Sequence, residues 1–213
     1  STQGLREQVA CRNILYTSFT ERPKHLDPAS TITEDESKFT RQVYEPPVQY
    51  HYLKRPYELV PLTAVEVPIA KASADGSVTY EIRIRPGIRY QPHPAFALAP
   101  AGQPVYQSLN RQALAGIDTL ADFAHSGTRE LVADDYIYQI KRLAHPRLHS
   151  PIFGMMAERI VGLKALGEAL QQAAKDAPED AWLDLDRFPL EGVTRVDRYT
   201  YRVTLNGKYP QFL

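Results

Sequence analysis

The sequence has few of the features that mark several protein classes. Its 213 residues contain one cysteine, Cys11, which rules out an internal disulfide and a metal site made of several thiolates. Lysine plus arginine and aspartate plus glutamate both number 25, and no block of like charge stands out. Because nucleic-acid-binding proteins present a basic patch, we expect no nucleic-acid partner.

Long hydrophobic runs are absent as well. No apolar stretch approaches the roughly 18 to 20 residues that span a bilayer, and the start, Ser1 to Arg6, lacks the apolar core of a signal peptide. We therefore expect a soluble chain. The same start is compatible with a terminus from which an export signal was removed, so composition alone leaves the compartment open.

Local patterns in the first third of the chain predict a strand, a loop and a helix. Residues 12–19 are typical of a strand, and residues 20–28 form the loop that follows it. Thr33-Glu34-Asp35-Glu36 has the form of a capping box. This predicts a helix from there to about Tyr44, which ends before the prolines at 46–47.

Strict alternation of apolar and polar residues indicates the clearest strand. It follows a turn signal at residues 75–76 and covers residues 78–85. Its apolar members, which we expect to form the buried face, are Val78, Tyr80, Ile82 and Ile84. Residues 91–132 contain several prolines and little periodicity, so we expect a long excursion there with a short helix near 116–124.

The last third of the chain predicts two more helical regions and a hairpin. One helix begins at residues 134–135 and ends before Pro146. Ser150-Pro151 predicts the N-cap and first position of a second helix, which runs to about Lys175 with a break near Gly162. One face of that helix carries Leu163, Leu166, Leu170 and Ala173. Residues 193–197 and 199–205 predict a β-hairpin or two successive strands.

A series of motifs, taken in order, resembles one protein family. The motifs are Leu26-Asp27-Pro28, Val43 to Pro46, Glu58 to Ala64, Asp75-Gly76 with Thr79 to Tyr90, Ala133 to Tyr136 with Lys141 to Leu143, Ser150-Pro151, Ile160 to Gly162, and Gly192 to Leu205. They are similar to those of the family 5 extracellular solute-binding proteins. Members of that family bind oligopeptides, dipeptides or nickel as soluble receptors of bacterial ABC importers.

The resemblance implies a mixed α/β fold of the periplasmic binding protein type II kind. Members have two lobes around a ligand cleft, and this chain resembles an incomplete first lobe, with the second lobe absent from it. We expect residues 1–55 and 186–213 to form parts of the main subdomain and residues 56–185 to form an inserted subdomain. The chain departs from the family pattern in its longer segment from Gln91 to Val132.

The resemblance also implies a function. It predicts the substrate-binding component of a bacterial ABC importer, which captures peptides or similar small solutes in the periplasm or at the outer face of the cytoplasmic membrane. The implied partners are the solute and the permease subunits in the inner membrane. We expect a monomer without cofactor, metal or catalytic activity.

The resemblance places two segments at the ligand cleft. The first comprises Ser30, Thr31, Ile32, Thr33 and Glu34, and helix backbone N–H groups there are candidates to bind a carboxylate or a peptide carbonyl. The second is residues 150–156, where Phe153 and Met156 are candidates for an apolar wall. The alternative is a connecting loop with an ordinary cap in the first segment and core side chains in the second.

Enzymatic interpretations find little support in the residues. His145 and His149 are four apart, as zinc ligands on a helix are, but Pro146 lies between them and no glutamate completes a metalloprotease motif. Ser126 follows His125, yet no Gly-x-Ser-x-Gly is present. We therefore assign no catalytic residue.

A tyrosine cluster supports an alternative of another class. Its members are Tyr44, Tyr50, Tyr52 and Tyr57. Such a cluster is compatible with an aromatic platform that binds sugars, although tyrosine more often lies at the edge of a core. A carbohydrate-binding or protein-interaction module is thus the second hypothesis, and a hydrolase the third.

Overall fold

A computed structural model describes residues 18–107, 109–110, 112–178 and 181–213. Its helices are α1 (Glu34–Val43), α2 (Ala133–Leu143), α3 (Phe153–Arg159) and α4 (Leu163–Asp176). Its strands are β1 (Val48–Tyr50), β2 (Leu59–Pro61), β3 (Lys71–Ala72), β4 (Val78–Arg83), β5 (Val193–Arg195) and β6 (Thr200–Leu205). The predicted strand at 12–19 lies almost entirely outside the described residues.

Strands β4 and β6 form the centre of a four-stranded antiparallel sheet in the order β3-β4-β6-β5. Val78 lies opposite Leu205 at one end of the central pair, and Arg83 lies opposite Thr200 at the other. The predicted hairpin is confirmed, because β5 pairs with β6 in antiparallel register. Strands β1 and β2 form a separate two-stranded sheet.

The alternation in β4 has the predicted orientation. The side chains of Val78, Tyr80, Ile82 and Ile84 are buried. Thr79 and Glu81 on the opposite face are partly exposed, and Glu81 accepts a hydrogen bond from Arg202 of β6 at 2.7 Å. Period-two alternation therefore determines which face of the sheet meets the core.

Helices α2 and α4 cover the apolar face of the sheet. Helix α2 packs against β5 and β6, and the rings of Tyr136 and Tyr201 stack with centroids 5.8 Å apart. Helix α4 contributes Leu163, Leu166 and Leu170 to the same core. These leucines recur at helical spacing, as the sequence predicts, so one stripe of α4 is buried.

The predicted break near Gly162 is confirmed. Gly162 has a φ of 77°, and it separates α3 from α4. The predicted cap at Ser150 is wrong, since α3 begins at Phe153 and its N-terminus has no side-chain cap. The carbonyl of Ser150, rather than its hydroxyl, accepts the N–H of Phe153 at 3.2 Å.

The long excursion after β4 is closed at its base. Isolated bridges join Arg89 to Glu130 and His93 to Gly127. Gly127 is required at this closure, because a Cβ there would overlap the carbonyl oxygen of Phe96. A single 3₁₀ turn at Leu120–Asp122 occupies the place of the predicted short helix.

The division of the chain into two subdomains stays a prediction. Its main test is a contact between residues 14–19 and 199–205, and most of the first range lies outside the described residues. The central pair of the sheet joins β4 from the predicted insert to β6 from the closing segment. In the described ranges, no helix is long and apolar enough to cross a membrane.

We predict that Leu170→Ala destabilises the fold strongly. Leu170 is fully buried in α4, and removal of a buried leucine side chain costs about 2–5 kcal/mol through lost burial and a residual cavity. The matched control is Leu98→Ala, at a leucine that is largely exposed in the excursion. Urea unfolding should show a loss of this size for the first variant and less than about 0.5 kcal/mol for the second. Equal losses would contradict the packing described.

Candidate functional site

The segment before α1 is organised around the buried carboxylate of Glu36. This side chain is 2% exposed. Its Oε1 accepts the backbone N–H groups of Lys24 at 3.0 Å and His25 at 2.9 Å. Its Oε2 accepts those of Ile32 and Thr33, each at 3.2 Å. One carboxylate therefore fixes the loop on both sides of the Leu-Asp-Pro motif.

These hydrogen bonds change the acidity of Glu36. The N–H groups of His25 and Thr33 lower the pKa of Glu36 to about 2, and they outweigh the opposite effect of burial. The hydroxyl of Thr33 in turn accepts the N–H of Glu36 at 3.2 Å, which confirms the capping box. The backbone N–H groups of Ile32 and Thr33 were candidates to bind a ligand carboxylate. They already donate to the carboxylate of Glu36 instead.

A second carboxylate, Asp27, anchors the loop to α2. Both nitrogens at the end of Arg142 donate to the two oxygens of Asp27, one of them at 3.0 Å, and the N–H of Ala29 donates at 2.9 Å. Burial raises the pKa of Asp27, but the bonds from Arg142 and Ala29 outweigh it, so the pKa lies below its ordinary value. The aspartate of the Leu-Asp-Pro motif is thus a structural anchor.

The structure brings the two predicted site segments together. The hydroxyl of Ser30 donates to the carbonyl of Leu148 at 3.0 Å, two residues before the second segment. The hydroxyl of Thr31 donates to the carbonyl of Asp27 at 2.8 Å. We call residues 30–34 together with 148–156 the rim.

Part of the first segment is exposed to solvent. The side chain of Ile32 is 71% exposed, although its N–H is bound to Glu36. Glu34, at the first position of α1, is also exposed. Thr33 between them is exposed as well, so Ile32, Thr33 and Glu34 are the exposed members of the predicted site.

Phe153 and Met156 lie at the edge of the core. Both are half-buried and pack against the main hydrophobic cluster. The ring of Phe153 covers Gly167 of α4 so closely that a Cβ at that glycine would overlap it. Each side chain therefore has an inner part in the core and an outer part at the rim.

The tyrosine cluster does not form a flat platform. The rings of Tyr50 and Tyr57 meet edge to face, with centroids 5.8 Å apart and planes at 68°. The guanidinium of Arg55 lies over the ring of Tyr57, 4.3 Å from its centroid. The guanidinium therefore covers one face of Tyr57, on which a sugar ring would otherwise stack.

The described surface has hollows away from the rim. One of about 420 Å³ is bounded by Val65, Ile84 and Pro86, with Arg83 beside them. Another of about 410 Å³ lies beside Phe188 at the end of α4. None of the predicted site residues lines either hollow. Within the described residues, no group of three or more His, Cys, Asp or Glu side chains could hold a metal ion.

Sequence reasoning missed the ion pair between Asp27 and Arg142, which positions the rim. The residues are 115 positions apart. The only available signal was that each belongs to one of the family-like motifs. The two residues pair because the fold places the loop beside α2.

We predict that Glu36→Gln destabilises the protein in a pH-dependent way. The amide nitrogen of glutamine cannot accept a hydrogen bond, so backbone N–H groups held by one carboxylate oxygen lose their acceptor. The pKa of Glu36 is lowered from 4.5 to about 2 by folding. Its stabilisation is therefore complete above pH 4.5 and is lost as the pH falls through about 2.

Chemical unfolding of wild type and Glu36→Gln at a series of pH values measures this difference. The gap in unfolding free energy should be full at neutral pH and should shrink steadily below the ordinary glutamate pKa. Glu34→Gln, an exposed change two residues earlier, is the matched control and should cost little at any pH. A gap that stays constant down to acid pH would refute the role of Glu36.

Comparison with known proteins gives matches among solved structures. The sequence matches no family model and no curated protein. The structure of the pheromone receptor PrgZ, described with its mode of peptide binding, matches 88% of this chain and 26% of that chain, with 18% identity and a TM-score of 0.51. OppA of Listeria monocytogenes, bound to peptide, matches 87% of this chain and 25% of that chain, with 17% identity and a TM-score of 0.47. OppA of Burkholderia pseudomallei matches 88% and 26%, with 17% identity and a TM-score of 0.47.

The likeness to PrgZ concerns the fold. This chain spans about a quarter of the length of the structures it matches. At 18% identity, the match to PrgZ shows that the two share the arrangement of strands and helices. The predicted mixed α/β fold is thereby confirmed.

Proposed function

We propose that this chain belongs to the substrate-binding component of a bacterial ABC importer and captures peptides or similar small solutes. The observation that carries the proposal is the likeness to PrgZ over 88% of the chain, because PrgZ is described by its mode of peptide binding. The order of the family-like motifs, from Leu26-Asp27-Pro28 to Gly192–Leu205, supports the same function.

The anchoring of the rim suits a receptor. Asp27 and Arg142 hold the loop on α2, and the bond from Ser30 to Leu148 holds it beside the second segment. A loop that is ordered before the ligand arrives loses little conformational entropy on binding. The rim therefore supplies a preorganised surface on which a peptide can be oriented.

The predicted site residues offer three kinds of contact in this proposal. Ile32, Phe153 and Met156 offer apolar surface. Glu34 offers a carboxylate for a peptide N–H or an amino group. The hydroxyls of Ser30, Thr31 and Thr33 make internal hydrogen bonds in the structure, and each keeps unused hydrogen-bonding capacity.

The proposed function also implies a cellular location and protein partners. The protein acts as a monomer in the periplasm or at the outer face of the cytoplasmic membrane, and it delivers its solute to permease subunits in the inner membrane. It binds and releases the solute without chemical change. The likeness to receptors rather than enzymes supports this part of the proposal.

The 213-residue chain should by itself bind the solute weakly. Receptors with a cleft bury most of a ligand between two lobes, and a single lobe leaves one face of the ligand in water. The loss of three or four contacts worth about 1 kcal/mol each weakens binding by roughly two to three powers of ten. Calorimetry on this chain and on the longest natural polypeptide that contains it measures the difference. Equal affinities would place the whole site within residues 1–213.

We predict that Ile32→Ser weakens peptide binding while Val43→Ser does not. Both side chains are 71% exposed, but Ile32 lies on the rim and Val43 at the far end of α1. Loss of one apolar contact worth about 1 kcal/mol lowers affinity about fivefold. Both variants are made in the longest natural polypeptide, and the probe is the peptide that native mass spectrometry finds retained after purification from the host.

Binding or hydrolysis of another class of ligand would contradict the proposed function. Oligosaccharides and chromogenic esters are screened in parallel with peptides. Retention of an oligosaccharide, or hydrolysis of an ester, in the absence of any peptide binding would refute the proposed function. A fivefold loss in both serine variants would refute the assignment of Ile32 to the site.

A further inference from the structure

The end of the β1–β2 hairpin projects a group of apolar side chains into solvent. We call residues 50–57 the aromatic tip. Tyr50 is 61% exposed, Tyr52 88%, Leu53 76% and Tyr57 69%. Four large apolar side chains so close together on one hairpin are unusual for a surface that meets only water.

The aromatic tip is ordered by its own hydrogen bonds. The N–H of His51 donates to the carbonyl of Glu58 at 2.8 Å and closes the hairpin. The Nδ1 of His51 accepts the N–H groups of Leu53 and Lys54, each at 3.2 Å. The exposed side chains of Tyr52 and Leu53 are thus held outward by a fixed backbone.

Cationic side chains accompany the apolar ones. Lys54 pairs with Glu58 at 2.9 Å, and both side chains are about half exposed. Arg55 lies over the ring of Tyr57 and also donates to the carbonyl of Lys54 at 2.9 Å. Since Glu58 balances Lys54, Arg55 leaves the hairpin end with an excess of positive charge.

We propose that the aromatic tip inserts into the interface of a lipid bilayer that contains anionic headgroups. Tyrosine rings prefer the level of the headgroups, where the ring is shielded from water and the hydroxyl stays hydrated. Leu53 at the outermost turn reaches the acyl boundary, and Arg55 and Lys54 meet lipid phosphates. The mixture of amphipathic rings, one aliphatic side chain and cations fits such an interface.

This surface fits lipid better than sugar. A sugar platform needs an open ring face, and Arg55 covers a face of Tyr57 while Tyr50 meets that ring edge to face. An interface of headgroups needs no flat pair of rings. It needs exposed apolar ends beside cations, which is what the aromatic tip presents.

Vesicle sedimentation tests the proposal. The longest natural polypeptide that contains this chain is mixed with vesicles of phosphatidylcholine alone or with about 30% phosphatidylglycerol, at low salt and at about 0.5 M salt. We expect sedimentation with the anionic vesicles that decreases with salt. The double variant Tyr52→Ser with Leu53→Ser should weaken this binding at least about tenfold. Arg55→Gln should weaken it about fivefold on anionic vesicles alone.

The matched control changes two exposed apolar residues elsewhere. Ile69 is 79% exposed and Leu98 63% exposed, and neither lies in the hairpin. The double variant Ile69→Ser with Leu98→Ser should bind vesicles like wild type, and thermal unfolding checks that all variants fold. The proposal is overturned if wild type does not sediment with anionic vesicles, or if the control loses as much binding as the variant of the tip. Binding to host membranes that depends on the tip and disappears in pure lipid would assign the surface to a protein partner instead.

Discussion

The antiparallel pairing of β4 with β6 is the interaction on which the rest of the fold depends. It brings the hydroxyls of Thr79 and Thr204 to 3.1 Å although the residues are 125 positions apart. Closing so long a loop costs entropy, but the cost grows only with the logarithm of the length. Burial of the apolar face of β4 offsets this cost, because side chains of β6 and α4 pack with it in one core. The excursion between Arg89 and Glu130 is tolerated for the same reason, since it is closed at its own base.

Local patterns predicted several elements correctly because those patterns depend on neighbours in sequence. Alternation in β4, the leucine stripe of α4 and the capping box at Thr33 each involve residues within one element or one turn. The predicted cap at Ser150 was wrong, although its sequence pattern is also local. The N–H of Phe153 goes to the carbonyl of Ser150 and the helix begins three residues after that serine, an offset that residue types alone do not specify.

The two segments of the candidate site stay a prediction from the sequence, and the contacts that hold them in place were not predictable from it. Ser30 and Leu148 meet because Asp27 and Arg142 fix the loop on α2, and both contacts join distant parts of the chain. The sequence also did not indicate that the carboxylate of Glu36 binds the N–H groups of the preceding loop. The capping box implies one hydrogen bond back to the cap, whereas the structure has four backbone N–H groups on that carboxylate. Sequence cannot reveal the additional donors, because the loop that supplies them has no regular pattern.

Among the carboxylates of the described residues, those with a shifted pKa share one structural role. Wherever the pKa of one of them shifts, it shifts downward, and the group accepts a backbone N–H; they are Asp27, Asp35, Glu36, Asp75, Asp122, Glu130 and Asp197. Lowered pKa values belong to carboxylates that stay charged and hold loops in place. In this protein, acidic side chains position the backbone. The proposed function requires such positioning, because a surface that orients a peptide makes directional contacts to the peptide backbone.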